Sequence, residues 1–180
     1  MSTSAIKMNT KLLIVDGHPM LLHGLRQALS EQSNLILAGE AVTGEEALKL
    51  AKELTPDLVV MDVHLPDMNG IEAARQILKV LPSSKVLIFS EEGARSLVDE
   101  ALQAGVCGYI LKGSAVDEVI RAIDVVVSGK LYLSPAVGAD ILESHQESLR
   151  IVSKRKLLCQ RRSARALMLA PRWCRLVAKV

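Results

Sequence analysis

Five times along the chain a short apolar run of strand length is followed by an amphipathic stretch of helical length. The runs cover residues 11–16, 35–41, 57–62, 85–90 and 108–111, and the stretches between and after them cover 19–32, 44–54, 70–81, 94–104 and 114–128. Strands that alternate with helices in this way pair side by side in one sheet, because each helix carries the chain back to the edge where the next strand starts. The expectation is an α/β fold built on a mostly parallel sheet.

Boundary residues support the helix assignments. Thr43-Gly44-Glu45-Glu46 puts acids in the first turn of the second helix, where they favour the positive end of its dipole, and Pro56 follows its end. Gly70 opens the third helix and Pro82 closes it. Ser114 with Asp117 reads as a cap followed by an acid three residues on, and Ser128-Gly129 ends the fifth helix. Ser134-Pro135 then offers a further helix start, with Val137, Ile141 and Leu142 on one apolar face. The expected organisation is a flexible N-terminus over 1–10, a domain over 11–130, a linker helix over 131–147 and a tail over 148–180.

The net charge of +2 over 180 residues hides an asymmetry. Up to Glu147 there are 12 Lys and Arg against 20 Asp and Glu, a balance of −8; from Ser148 onward there are 10 Lys and Arg and no acid. A split of that kind marks a basic tail distinct from the domain before it. Cys107, Cys159 and Cys174 share no CxxC spacing, so reduced thiols are expected rather than a disulfide framework. No apolar stretch reaches the roughly 20 residues of a membrane span, and the first residues lack the apolar core of a signal peptide. A cytoplasmic protein without membrane contact is expected.

Ligands of open α/β sheets bind beyond the carboxyl ends of the strands, so the residues that end each strand carry the most information. Here they are Asp16 after LLIV, Asp62 after LVVM, Ser90 after VLIF and Lys112 after YIL. One aspartate at a strand end is commonly a turn or cap residue. Four reactive or charged groups at four strand ends form a pattern. A carboxylate can attack phosphorus, a cation held by neighbouring acids can neutralise phosphoryl oxygens, and an ammonium with a hydroxyl can hold the transferred group. Asp62 is the expected nucleophile.

The segments LLIVDGHPMLLHGL, GEAVTGEEAL, PDLVVMDVHLPDMNGIEAARQI, VLIFS and ALQAGVCGYILKG give residues 11–130 a strong resemblance to the receiver domains of two-component response regulators, particularly those of the NarL/FixJ type. The resemblance implies a CheY-like, doubly wound sheet of five parallel strands in the order 2-1-3-4-5, with helices on both faces. It implies that Asp62 accepts a phosphoryl group from a sensor histidine kinase. It also implies that Asp16, Asp62 and the backbone carbonyl of His64 hold Mg²⁺, that Ser90 and Lys112 bind the phosphoryl group, and that Tyr109 is the aromatic that changes rotamer on activation. Such a domain is not an enzyme in the ordinary sense, beyond assisting its own phosphorylation and hydrolysis. A homodimer through the helix 4, strand 5, helix 5 face is the implied assembly.

Two departures stand out. Receivers of this type read Asp-Asp-His-Pro after strand 1, whereas this chain has Asp16-Gly17-His18-Pro19, so an acid that would bind the metal is missing and weaker Mg²⁺ binding is expected. The tail, LRIVSKRKLLCQRRSARALMLAPRWCRLVAKV, resembles scraps of a LuxR-type helix-turn-helix domain without its opening Leu-Thr-x-Arg-Glu segment. An impaired DNA-binding output is expected. The main rival is a pseudo-receiver that binds partners without being phosphorylated. A phosphatase of related fold would need an acid two residues after its nucleophile on strand 1, where His18 stands, and DGHPMLLHG does not provide a flavin phosphate loop.

Overall fold

A computed structural model describes residues 9–138. Its strands are β1 (Thr10–Val15), β2 (Leu35–Ala41), β3 (Leu58–Met61), β4 (Lys85–Ser90), β5 (Gly108–Leu111) and β6 (Tyr132–Leu133). Its helices are α1 (Pro19–Ser30), α2 (Gly44–Leu54), α3 (Gly70–Val80), α4 (Arg95–Gln103) and α5 (Val116–Val127). All strands pair in parallel in one sheet of order β2-β1-β3-β4-β5-β6. The expected order of the first five holds, and β6 corrects the strand count to six. Two residues are too short to show a period of their own; pairing Tyr132 with Gly108 and Leu133 with Tyr109 is what makes them a strand.

Alternate residues of the strands face opposite sides. On one side Leu12, Ile14, Val60, Leu87 and Ile110 pack against Leu22, Leu25 and Leu29 of α1 and Val119, Ile123 and Val126 of α5. On the other, Leu13, Val59, Val86, Ile88 and Tyr109 are buried, and α2, α3 and α4 lie along the sheet. The central strands are covered twice over, which explains why β3 and β4 are apolar without alternation.

The caps follow the local sequence at α2 and α3. The hydroxyl of Thr43 accepts from the Glu46 N–H at 3.2 Å, while the Glu46 carboxylate accepts from the Val42 N–H at 3.0 Å, a near form of the capping box. Asn69 caps α3 by accepting from the Ile71 N–H at 2.7 Å. At α5 the expected Ser114 cap is not used. Ala115 occupies that position with no side-chain cap, and Asp117 and Glu118 in the first turn supply the favourable charge instead. Helical turns resume at Pro135 and Val137 is buried; Ile141, Leu142 and the tail lie outside the described residues. No described helix is long and apolar enough to cross a membrane.

Candidate functional site

The site lies at the carboxyl ends of β1, β3, β4 and β5, on either side of the point where strand order reverses between β1 and β3. Asp16 and Asp62 each follow the last residue of their strand, and the Asp62 N–H donates to the Val15 carbonyl at 2.9 Å, locking the two strand ends together. Both carboxylates are buried, at 1% and 2% exposure. Lys112, one residue past β5, reaches across with its Nζ 2.8 Å from Asp16 Oδ2 and 2.8 Å from Asp62 Oδ2. Its contact with Asp62 is a hydrogen bond; that with Asp16 is an ion pair only. Burial pulls the Lys112 ammonium toward deprotonation, but its close contacts with the negative carboxylates of Asp16 and Asp62 outweigh that and hold its pKa above the ordinary lysine value. The cation therefore persists throughout the neutral range.

Asp62 Oδ1 is left buried without a hydrogen-bond partner. A carboxylate oxygen in that state costs free energy unless something binds it. Asp16 Oδ1, by contrast, accepts the backbone N–H of His18 at 2.8 Å and lies 3.0 Å from His18 Nδ1. One ligand atom from each of Asp16, His18 and Asp62 lies within 4.8 Å of the others. Two carboxylates against one ammonium leave a formal charge of −1, with the buried Asp62 Oδ1 unpartnered. That donor set suits a divalent cation which keeps several waters and binds through one or two carboxylates. Sequence reasoning did not find His18 in this cluster. Its signal is position: two residues beyond Asp16, at the turn into α1.

Ser90 ends β4 fully buried, and its hydroxyl accepts from the Glu92 N–H at 3.2 Å. Tyr109 is also fully buried, with its hydroxyl donating to the Glu92 carbonyl at 2.6 Å. Burial, followed by the charges of Glu92 and Asp62 and against a bond from Ser90, raises the Tyr109 pKa, so the phenol stays neutral. His64 Nε2 lies 3.0 Å from Glu92 Oε1. Glu92 thus joins the loops after β3 and β4 to Tyr109, partly through its backbone carbonyl, which no residue type announces. The His64 carbonyl would lie 3.5 Å from a Cβ added at Gly17, so this carbonyl and the position of the missing acid face each other. The loop after β3 forms an open cleft of about 530 Å³ with Gly17 and His18.

Residues 12–124 match the model of the response regulator receiver domain. The chain belongs to that family. It is 37% identical over 137 residues to the response regulator GacA of Pseudomonas aeruginosa, a match covering 76% of this chain and 64% of that protein. It is also 37% identical to the transcriptional regulatory protein LnrK of Bacillus subtilis, over 73% of this chain and 60% of that one. The chain therefore spans somewhat less than two thirds of these relatives. A crystal structure of a LuxR-family two-component response regulator from Aurantimonas superposes with a TM-score of 0.74 at 33% identity, covering 76% of this chain and 98% of that one. The receiver domain of the response regulator NarL from Mycobacterium tuberculosis gives 0.66 at 30%, covering 68% and 99%.

Proposed function

We propose that this receiver domain is a phosphoacceptor, with Asp62 taking a phosphoryl group from the phosphohistidine of a sensor kinase. The observation that carries the reading is the Asp62 carboxylate itself: buried at the switch point, held by Lys112 through Oδ2, with Oδ1 unpartnered. In the transfer, Asp62 Oδ1 forms the new O–P bond as the donor's N–P bond breaks, and the departing imidazole takes up a proton. Lys112 stays beside the acyl phosphate and binds one phosphoryl oxygen, and Ser90 offers its hydroxyl to another. Asp16, Asp62 and the His64 carbonyl would hold a divalent cation, which would supply further positive charge to those oxygens.

Lys112 and Ser90 then couple the phosphoryl group to the face of α4, β5 and α5. When the Ser90 hydroxyl turns toward phosphate, its bond to the Glu92 N–H is given up, and with it one restraint on the loop that holds Tyr109 inward. Phosphorylation biases an equilibrium between two arrangements of that face, which binds a partner or a second copy. Transcription regulation is the proposed context, on the strength of the relatives' names, with DNA output impaired because residues 148–180 lack the Leu-Thr-x-Arg-Glu opening. Gly17 favours a second reading, a partner-binding domain that is not phosphorylated.

Incubation with acetyl phosphate and Mg²⁺, read by intact mass, separates the two. One added phosphoryl mass that disappears in Asp62→Asn supports the phosphoacceptor. No addition to the unmodified chain, with recovery in Gly17→Asp, supports the partner-binding reading instead.

A further inference from the structure

We propose that His18 is a metal ligand of this site and that the crevice takes a borderline divalent transition ion in preference to Mg²⁺. A transition ion held there serves the phosphoacceptor described above, so the assignment rests on that reading of Asp62.

The donor atoms are already gathered. Asp16 Oδ1 and His18 Nδ1 lie 3.0 Å apart. For bonds of about 2.1 Å, adjacent donors of an octahedron are separated by about 3.0 Å, so this spacing needs no change. Opposite donors can be at most about 4.2 Å apart at the same bond length, and the outer limit of 4.8 Å for the three atoms leaves little to close. The unpartnered, buried Asp62 Oδ1 points to a ligand independently of the imidazole. His18 is free to adjust: its side chain is 65% exposed and makes no cap bond to α1. In the contact with Asp16 Oδ1 the donor is Nδ1–H; metal binding shifts that ring proton to Nε2 or releases it, and Nδ1 then presents its lone pair to the ion.

Chemistry then decides which ion. Carboxylate, carbonyl and water oxygens suit Mg²⁺, whereas an imidazole nitrogen adds affinity for later first-row ions, in the order Mn²⁺, Fe²⁺, Co²⁺, Ni²⁺. With glycine at 17, the turn after β1 offers a nitrogen at 18 as the next side-chain donor beyond Asp16. The bland reading is that His18 does no more than orient Asp16 through the Nδ1 contact. In that case its loss weakens every cation alike.

The test is calorimetric titration of the full chain with Co²⁺ and, separately, with Mg²⁺, comparing it with His18→Ala and with His23→Ala, an exposed histidine of α1 outside the site. Loss of an outer-shell partner already costs 10–100-fold in metal affinity, so loss of a direct ligand is expected to weaken Co²⁺ binding by about tenfold or more. Mg²⁺ binding should weaken far less than Co²⁺ binding in His18→Ala, and Co²⁺ binding should be unchanged in His23→Ala. Equal weakening of both metals in His18→Ala, no weakening of Co²⁺, the same loss in His23→Ala, or no saturable Co²⁺ binding to the unmodified chain would each overturn the assignment. No phosphoryl donor is present in these titrations. Failure here and failure of Asp62 to accept phosphate are therefore separate results.

Discussion

Gly70 has no room for a side chain, since a Cβ there would lie 1.8 Å from the Asp62 carbonyl oxygen and 2.9 Å from its carbon. The loop after β3 folds back so tightly that the first turn of α3 rests on the backbone of the proposed phosphoacceptor, and the Gly70 N–H donates to the Val63 carbonyl at 2.8 Å. Gly70→Ala must push that backbone apart. The expected cost is about 1–3 kcal/mol, in the range of overpacked sites, measured by urea denaturation, together with slower phosphorylation. Asp67 in the same loop accepts the N–H groups of Gly44 at 2.7 Å and Glu45 at 2.9 Å, tying the loop to α2. Those bonds hold its pKa below the reference 3.8. A depressed folded-state pKa contributes stability above the unfolded value, which is lost as pH falls through the folded value. The stability advantage of the native chain over Asp67→Asn should therefore shrink below about pH 4 in acid denaturation, and no change in the difference would contradict it. Asp16, Asp62 and Lys112 were legible because each ends an apolar run. Glu92 was not, since it acts partly through its backbone, and His18 became visible only when the turn placed its ring on Asp16.

At the scale of elements, the amphipathic stretches were readable because one face of each helix is buried. In α5, Val119, Ala122, Ile123 and Val126 form that face, and Ile123 is fully buried. Ile123→Ala should cost about 2–5 kcal/mol by thermal or urea unfolding, because the sheet beneath cannot collapse into the gap. A cost below about 1 kcal/mol would mean that α5 is not packed as described. What escaped the sequence at this scale had no period to reveal it. Residues Tyr132–Leu133 become β6 only because Gly129, at a φ of +87°, turns the chain back toward β5. Ser114 resembles a cap by composition, yet the turn after β5 leaves Ala115 in that position.

For the whole molecule, the strand order was expected from a resemblance rather than from pairing signals, and it is the order that makes the site. Placing β1 beside β3 brings Asp16 to Asp62, although 46 residues separate them in the chain. Adding β4 and β5 brings Ser90 and Lys112 to the same edge. The central claim is that this convergence makes Asp62 the nucleophile. Borohydride reduces an aspartyl phosphate to homoserine, so the residue can be identified directly. After treatment with acetyl phosphate and a divalent cation, reduction and peptide mass mapping should place homoserine at position 62 alone. Homoserine at position 16 or at another acid, or none under conditions in which a known receiver is labelled, would contradict the account.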